Sequence, residues 1–241
     1  MKILDDLILS LKGNDSPVKG VHTCVFWTAV MSKHCGLSST FREEGPSHER
    51  GVRDVGRLTQ KTALELAEYA KSNNLLEASI GMATINSLID IDESKCIEKN
   101  AFEIILEKGT DKNVAIVGHF PWIPKLREKV KNLWVLEQRI REGDLPAKEA
   151  DRILPQCNVV GITGTSFINH TTEGLLGLCK AAYIAMIGPT TPLSPILFDH
   201  GIDAICGSKV IDVEKVIRSI SEGATFKEVT GVRLLTLTKT L

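Results

Sequence analysis

Short stretches of hydroxylic, glycine and proline residues carry most of the side chains suited to chemistry. Gly118-His119-Phe120-Pro121, Thr163-Gly164-Thr165-Ser166 and Gly188-Pro189-Thr190-Thr191-Pro192 each follow a short apolar run, and Glu137 follows another. If those runs are parallel strands, all four lie at carboxyl ends, where open α/β sheets hold their ligands. Glu137 stands 19 residues beyond Gly118, close to the spacing at which a carboxylate accepts from ribose hydroxyls in nucleotide-binding folds. No G-x-G-x-x-G is present, and Pro121 lacks a backbone donor. That pattern leaves room for a ligand with a nucleoside and no diphosphate. The bland alternative is a solvated carboxylate at a strand end.

The 163–166 stretch can offer backbone N–H groups and hydroxyls to an anion or carboxylate at a helix start. With one glycine and no lysine it is not a P-loop, and plain N-capping by Thr165 or Ser166 is the alternative. Thr191-Pro192 reads as an N-cap followed by proline at the first helical position. Asn169, with His170, Thr171 and Thr172, falls in the first turns after the third apolar run; it binds substrate or steadies a loop. Asn86 sits among Met82, Ile85, Leu88 and Ile89, and a buried amide needs partners for two donors and an acceptor. It either ties two units together or points into a cleft, which Ser39 and Thr40 could complete.

Metal ligation finds little local support. No two of the six histidines show the i,i+4 spacing of a zinc helix, and no C-x-x-C occurs among the six cysteines. His22-x-Cys24 and His34-Cys35 lack two further local ligands. His119 is the best-placed histidine. A G-x-S-x-G elbow is also absent, which disfavours an α/β-hydrolase triad.

The elements that must position these residues follow from periodicity. Ile3, Leu4, Leu7, Ile8 and Leu11 predict a helix stopped by Gly13. Val18–Val30 reads as one strand and Gly36–Phe41 as a second. Residues 42–56 are polar and aperiodic, an exposed loop. Thr59 is expected to cap a helix to about Ala70, and Asn74…Glu77 has the spacing of a capping box for a helix to about Ile89. Beyond Gly109, apolar runs at Val114–Val117, Leu133–Leu136, Val159–Ile162, Tyr183–Ile187 and Ala204–Cys206 alternate with helix-competent segments. Those segments include 147–154, 167–180, 193–200 and 213–222. Runs apolar throughout suit strands covered on both faces, and the alternation predicts a doubly wound parallel sheet. Residues 233–240 alternate and predict a last edge strand.

Composition sets the outer limits. The 241 residues carry 29 Lys+Arg against 30 Asp+Glu, a formal charge of −1, with 43% hydrophobic and 24% charged. That is the make-up of an ordinary globular chain able to bury roughly 70–75% of its unfolded surface. Near-neutral charge with no basic block removes the electrostatic case for nucleic acid. No run reaches the ~18–20 apolar residues of a membrane span. Asp5-Asp6 argues against a secretory leader, so a cytoplasmic location is expected. The scattered cysteines read as small buried apolar residues.

Several of these stretches, taken in order, resemble the heavy-metal-chelation family, formerly a domain of unknown function. They are Gly36–Phe41, the helix with Gly81, Ala83 and Asn86, Val117–Pro121, Thr163-Gly164-Thr165 with Asn169 and Thr171, and Gly188–Leu193. The resemblance covers nearly the whole chain; Asn158 departs from it, standing where an aspartate would open the third strand. It implies a small α+β enolase N-terminal-like domain (1–90) before a Rossmann-like α/β domain (91–241). It also implies a site between them with partial likeness to methyltransferase-type nucleoside pockets. The expected function is an enzyme acting on a small nucleoside-, pterin- or flavin-like ligand in chelator synthesis or modification. The rival is a non-enzymatic protein that binds a metal or metal complex. The sequence specifies no cofactor and leaves open whether catalysis occurs.

Overall fold

The structure, a computed structural model, describes residues 1–42 and 51–239; most of the expected 42–56 loop lies outside them. The chain opens with α1 (Lys2–Ser10), whose Ile3, Leu4, Leu7 and Ile8 are buried. An antiparallel meander follows: β1 (Gly20–Thr23), β2 (Trp27–Met31) and β3 (Cys35–Ser39). The expected single strand over 18–30 is therefore two. The chain reverses at Cys24-Val25-Phe26, where the Cys24 amide bonds the Trp27 carbonyl at 2.9 Å and Val25 and Phe26 face solvent. No glycine or proline marks that reversal, so a β-rich run conceals it.

Helix α2 (Ala63–Ala67) is capped by Thr62, not Thr59, in a reciprocal capping box with Glu65. A 3₁₀ segment over Glu68–Lys71 continues it. Helix α3 (Leu75–Leu88) takes Asn74 as its cap, but Glu77 does not return the bond of a capping box. Its carboxylate instead accepts from the Arg53 amide, Arg53 Nε and Ser72 Oγ. Almost every face of α3 is buried, its Ser79, Thr84 and Ser87 included, because β2 and β3 lie on one side and the 63–71 helices on another.

The second part holds an eight-stranded sheet, with α4 (Ala101–Gly109), α5 (Ile123–Arg127), α6 (Ala150–Ile153), α7 (Thr172–Leu178) and α8 (Val213–Ser221) between or before its strands. In chain order these are β4 (Cys96–Ile97), β5 (Asn113–Val117), β6 (Asn132–Glu137), β7 (Leu145–Pro146), β8 (Val159–Thr163), β9 (Tyr183–Ile187), β10 (Ala204–Val210) and β11 (Val232–Thr238). Their spatial order is β4-β11-β10-β9-β8-β5-β6-β7. Pairings from β10 through to β7 are parallel, and those of β11 antiparallel. This is a Rossmann-like α/β fold, with all five apolar runs as parallel strands. The terminal strand is not the edge, since β4 pairs outside it.

Two helix starts shift. The segment after β9 is a 3₁₀ helix over Pro195–His200 entered from Ser194, not from Thr191. After β8, Thr163 itself caps a short 3₁₀ turn over Gly164–Phe167, and α7 begins only at Thr172. One core cluster runs unbroken from α1 and α3 to β8, Phe167 and β9. A second fills the opposite face of the sheet beneath α4 and α5. A third joins the outer face of the meander to Val216 and Ile220 of α8.

Candidate functional site

After β5 the chain runs to β6 and β7 on one side, then crosses back so that β8 pairs on the other side of β5. The order therefore reverses between β5 and β8, and a ligand crevice is expected outside their carboxyl ends. Gly118 and Thr163 meet there. A Cβ on Gly118 would lie 3.0 Å from Thr163 Cβ, and Gly118 has φ +107°, a conformation costly for other residues. Gly188 repeats the arrangement after β9 with φ +109°. Both glycine amides continue the ladder, Gly118 to the Leu136 carbonyl and Gly188 to that of Cys206, each at 2.9 Å. Thr163, at the end of the strand between them, thus stands between two turns of one geometry.

Next to Thr163 the backbone of Gly164 presses on the loop after Gly188. A Cβ there would fall 2.4 Å from Thr191 Oγ1 and 2.6 Å from Thr191 N. The same loop meets the first part of the chain. Thr190 Oγ1 accepts from the Ser39 amide at 2.9 Å and lies 3.3 Å from Ser39 Oγ. Asn86 Nδ2 donates to the carbonyls of Leu37 at 2.8 Å, Thr190 at 3.2 Å and Pro189 at 3.4 Å. The amide side chain thus ties two parts of the molecule together. Asn86 Oδ1 and Thr191 Oγ1 are buried without a partner among the described residues.

The remaining sequence candidates make contacts of their own. Thr40 shares its hydroxyl with Thr28 inside the meander at 2.9 Å. Ser166 bonds Thr172 in the core at 2.8 Å, and Pro192 is buried. Thr165 Oγ1 lies 3.0 Å from Thr163 Oγ1, and Asn169 Oδ1 accepts from the Thr171 amide and hydroxyl. Glu137, at the end of β6, accepts from the amide of its neighbour Gln138 at 2.9 Å. Phe120 stacks on Trp122 with ring centroids 5.0 Å apart, and Trp122 leans on Phe102 of α4 at 5.9 Å; Pro121 is exposed.

His119 faces a cleft of about 420 Å³ that Glu137 does not line. Helix α5 supplies Ile123, Pro124 and Arg127, its C-cap supplies Glu128, and the β6–β7 connection supplies Glu142, Gly143 and Asp144. His119 Nδ1 lies 3.1 and 3.2 Å from the two carboxylate oxygens of Asp144, whose side chain is 2% exposed. Sequence reasoning overlooked Asp144. It sits in a charged Gly-containing connection between strands, and its partner is 25 residues away; only the pairing of β6 with β7 brings them together.

Donors for a metal do not assemble. Among the described residues no three His, Cys, Asp or Glu side chains form a group able to hold one. Burial pushes the thiols of Cys35, Cys157 and Cys206 up to about 11, and burial with the neighbouring Cys157 pushes Cys179 to about 12. Such thiols are protonated near neutrality, while the soft-metal ligand is the thiolate.

Comparison with known proteins places these features in a lineage. An uncharacterised protein of Methanocaldococcus jannaschii is 30% identical over 193 residues, 77% of this chain and 73% of its own. A crystal structure of a DUF364-family protein of unknown function from Desulfitobacterium hafniense superposes with a TM-score of 0.85 at 29% identity. It covers 99% of this chain and 98% of its own. Another from Pyrococcus horikoshii shares the fold at a TM-score of 0.84 and 20% identity, over 98% and 100% of the two chains. Two family models, each described as "Putative heavy-metal chelation", match residues 4–89 (DUF4213) and 100–239 (DUF364). The chain belongs to the DUF364 heavy-metal-chelation family.

Proposed function

We propose that the protein is an enzyme that binds a small polar organic molecule at the carboxyl edge of its sheet and makes or modifies a metal chelator. The observation that carries this reading is the strand-order reversal between β5 and β8; the His119–Asp144 cleft lies beside it, on the β6–β7 side of β5. A crevice at such a reversal is the common ligand position of open α/β sheets. Nucleoside-, pterin- and flavin-like molecules are the first ligands to test, because the Gly118 turn is tight, the Thr163 turn bears hydroxyls and neither is a diphosphate loop.

The family description directs attention to metal, yet the described side chains do not fit a resident one. Among the described residues, protonated buried thiols and dispersed histidines lack the convergent donors that a soft or borderline metal requires. The link to metal is therefore read through the organic molecule, with no step assigned to a bound ion.

Thermal-shift screening of dialysed protein tests the proposal, with nucleosides, S-adenosyl compounds, pterins and flavins in one arm and divalent metals in the other. A ligand specific for the native state adds about 2.7 kcal/mol at a hundredfold excess over its dissociation constant. Stabilisation in the organic arm is the expected result. A stoichiometric metal retained through dialysis and lost in His119→Ala would overturn the reading in favour of a metal-binding protein.

A further inference from the structure

We propose that the His119 cleft is a proton-transfer site for a small zwitterion. In it His119 is the catalytic acid–base, Asp144 a positioning residue, and Arg127 the anchor for the substrate's carboxylate. The inference deepens the preceding reading and rests on it.

Geometry assigns the roles. An ionised carboxylate only accepts hydrogen bonds. Asp144 takes one from the Arg141 amide at 3.1 Å and faces His119 Nδ1 with both oxygens. That pairing holds the imidazole proton on Nδ1 and leaves the lone pair on Nε2. Asp144 is shielded from water, whereas the His119 ring is 22% exposed and lines the cleft. No described residue bonds Nε2. A buried carboxylate behind a reachable imidazole is how a histidine base is oriented.

The charges along the cleft name the substrate class. Arg127, exposed at the cleft, donates one N–H to the Leu133 carbonyl at 3.3 Å, and its other donors stay free for a planar carboxylate. Glu128 at the C-cap of α5 and Glu142 from the β6–β7 connection make no ion pair with a described residue. Unpaired charges of both signs in about 420 Å³ suit a molecule carrying a carboxylate and an ammonium group. In the transfer, an N–H bond of the ammonium breaks and its electron pair stays on nitrogen, giving a neutral amine. The Nε2 lone pair forms the new bond to the proton, and Asp144 offsets the imidazolium charge.

The experiment uses long-range ¹H–¹⁵N spectra of histidine-labelled protein, titrated with the free amino acids and with their N-acetyl and methyl-ester derivatives. Wild type should show His119 protonated on Nδ1 with a bare Nε2, and Asp144→Asn should lose that preference. At least one free amino acid should shift the Nε2 resonance. N-acetylation, esterification or Arg127→Met should each weaken that effect about tenfold, as expected for one charge-assisted contact, with Arg127→Lys retaining part of it. A proton on Nε2 in the wild type, equal binding of the blocked derivatives, or no response to any amino acid overturns the proposal. If His119→Gln and Arg127→Met still show unchanged stabilisation by an organic ligand, this inference fails while the broader reading stands.

Discussion

Asn86 and Thr190 are joined across 104 residues of sequence by a 3.2 Å hydrogen bond from the Asn86 side chain to the Thr190 carbonyl. The same NH₂ group reaches the Leu37 carbonyl, so one amide holds the end of the meander and the loop after β9 in register. Replacing it with Asp substitutes an acceptor where only acceptors face it. Leaving these groups unpaired costs about 1–3 kcal/mol, so Asn86→Asp should lower the urea midpoint with an unchanged slope. A midpoint equal to wild type would show that the junction does not depend on this contact.

Gly164 tests how tightly the 163–166 turn abuts the 189–192 loop. In Gly164→Ala the new methyl would meet Thr191 N at 2.6 Å as well as its hydroxyl. Backbone cannot swing aside as a side chain can, and overpacking of this kind costs typically about 1–3 kcal/mol. Calorimetry of the variant should show a lower Tm. Trimming Thr191 to alanine in the same chain should restore only part of it, because the amide nitrogen remains.

Much of the parallel sheet was legible because runs such as Val114–Val117 and Val159–Ile162 are buried on both faces and so carry no polar alternation. The β1–β2 reversal was not, since Val25 and Phe26 are strand-forming residues used at a turn. The stretches around Gly118, Thr163 and Gly188 stood out as glycine and hydroxyl punctuation at strand ends. Their joining to Asn86 and Ser39 is a long-range contact that spacing cannot express. Asp144 was illegible for a related reason: a carboxylate in a charged turn looks solvated until tertiary structure buries it against His119.

The buried thiols predict a one-sided response to pH. Cys35, Cys157 and Cys206 keep their protons to about 11 and Cys179 to about 12 when folded, against about 8.5 for a free thiol. Between these limits the unfolded chain has lost protons that the folded chain retains, so stability must fall as pH rises through that window and stay flat in this respect below it. Urea midpoints at pH 8 and pH 10 should differ in that direction, and Cys206→Ala should narrow the difference. A higher midpoint at pH 10 would contradict the burial of these groups.

Glu77 is a nearly buried carboxylate, 3% exposed, whose partner Arg53 is largely in solvent. Its other bonds, to the Arg53 amide at 2.7 Å and Ser72 Oγ at 2.7 Å, anchor the chain leading into α2 and the turn before α3. Because Arg53 is exposed, the ionic part is screened and the two hydrogen bonds should dominate. Glu77→Gln should therefore be milder than Glu77→Ala, which strands both donors; urea unfolding of the pair would reveal the order. Equal losses would mean that charge, not hydrogen bonding, governs this site.

Glu137 offers the most direct test of a ribose-bearing ligand. Its carboxylate sits at the end of β6, opposite Pro146 of β7, and one oxygen already accepts from the Gln138 amide. The carboxylate's remaining lone pairs are open to ribose hydroxyls. Glu137→Gln preserves size and removes charge. Stability should stay within about 0.5 kcal/mol of wild type, as for other surface substitutions. Binding of any nucleoside found in the thermal-shift screen should weaken by about tenfold, the loss of one charged hydrogen bond. Calorimetric titration measures both constants directly. Identical affinities would retire Glu137 as a ligand residue and leave the Gly118 and Thr163 turns and the His119 cleft to carry recognition.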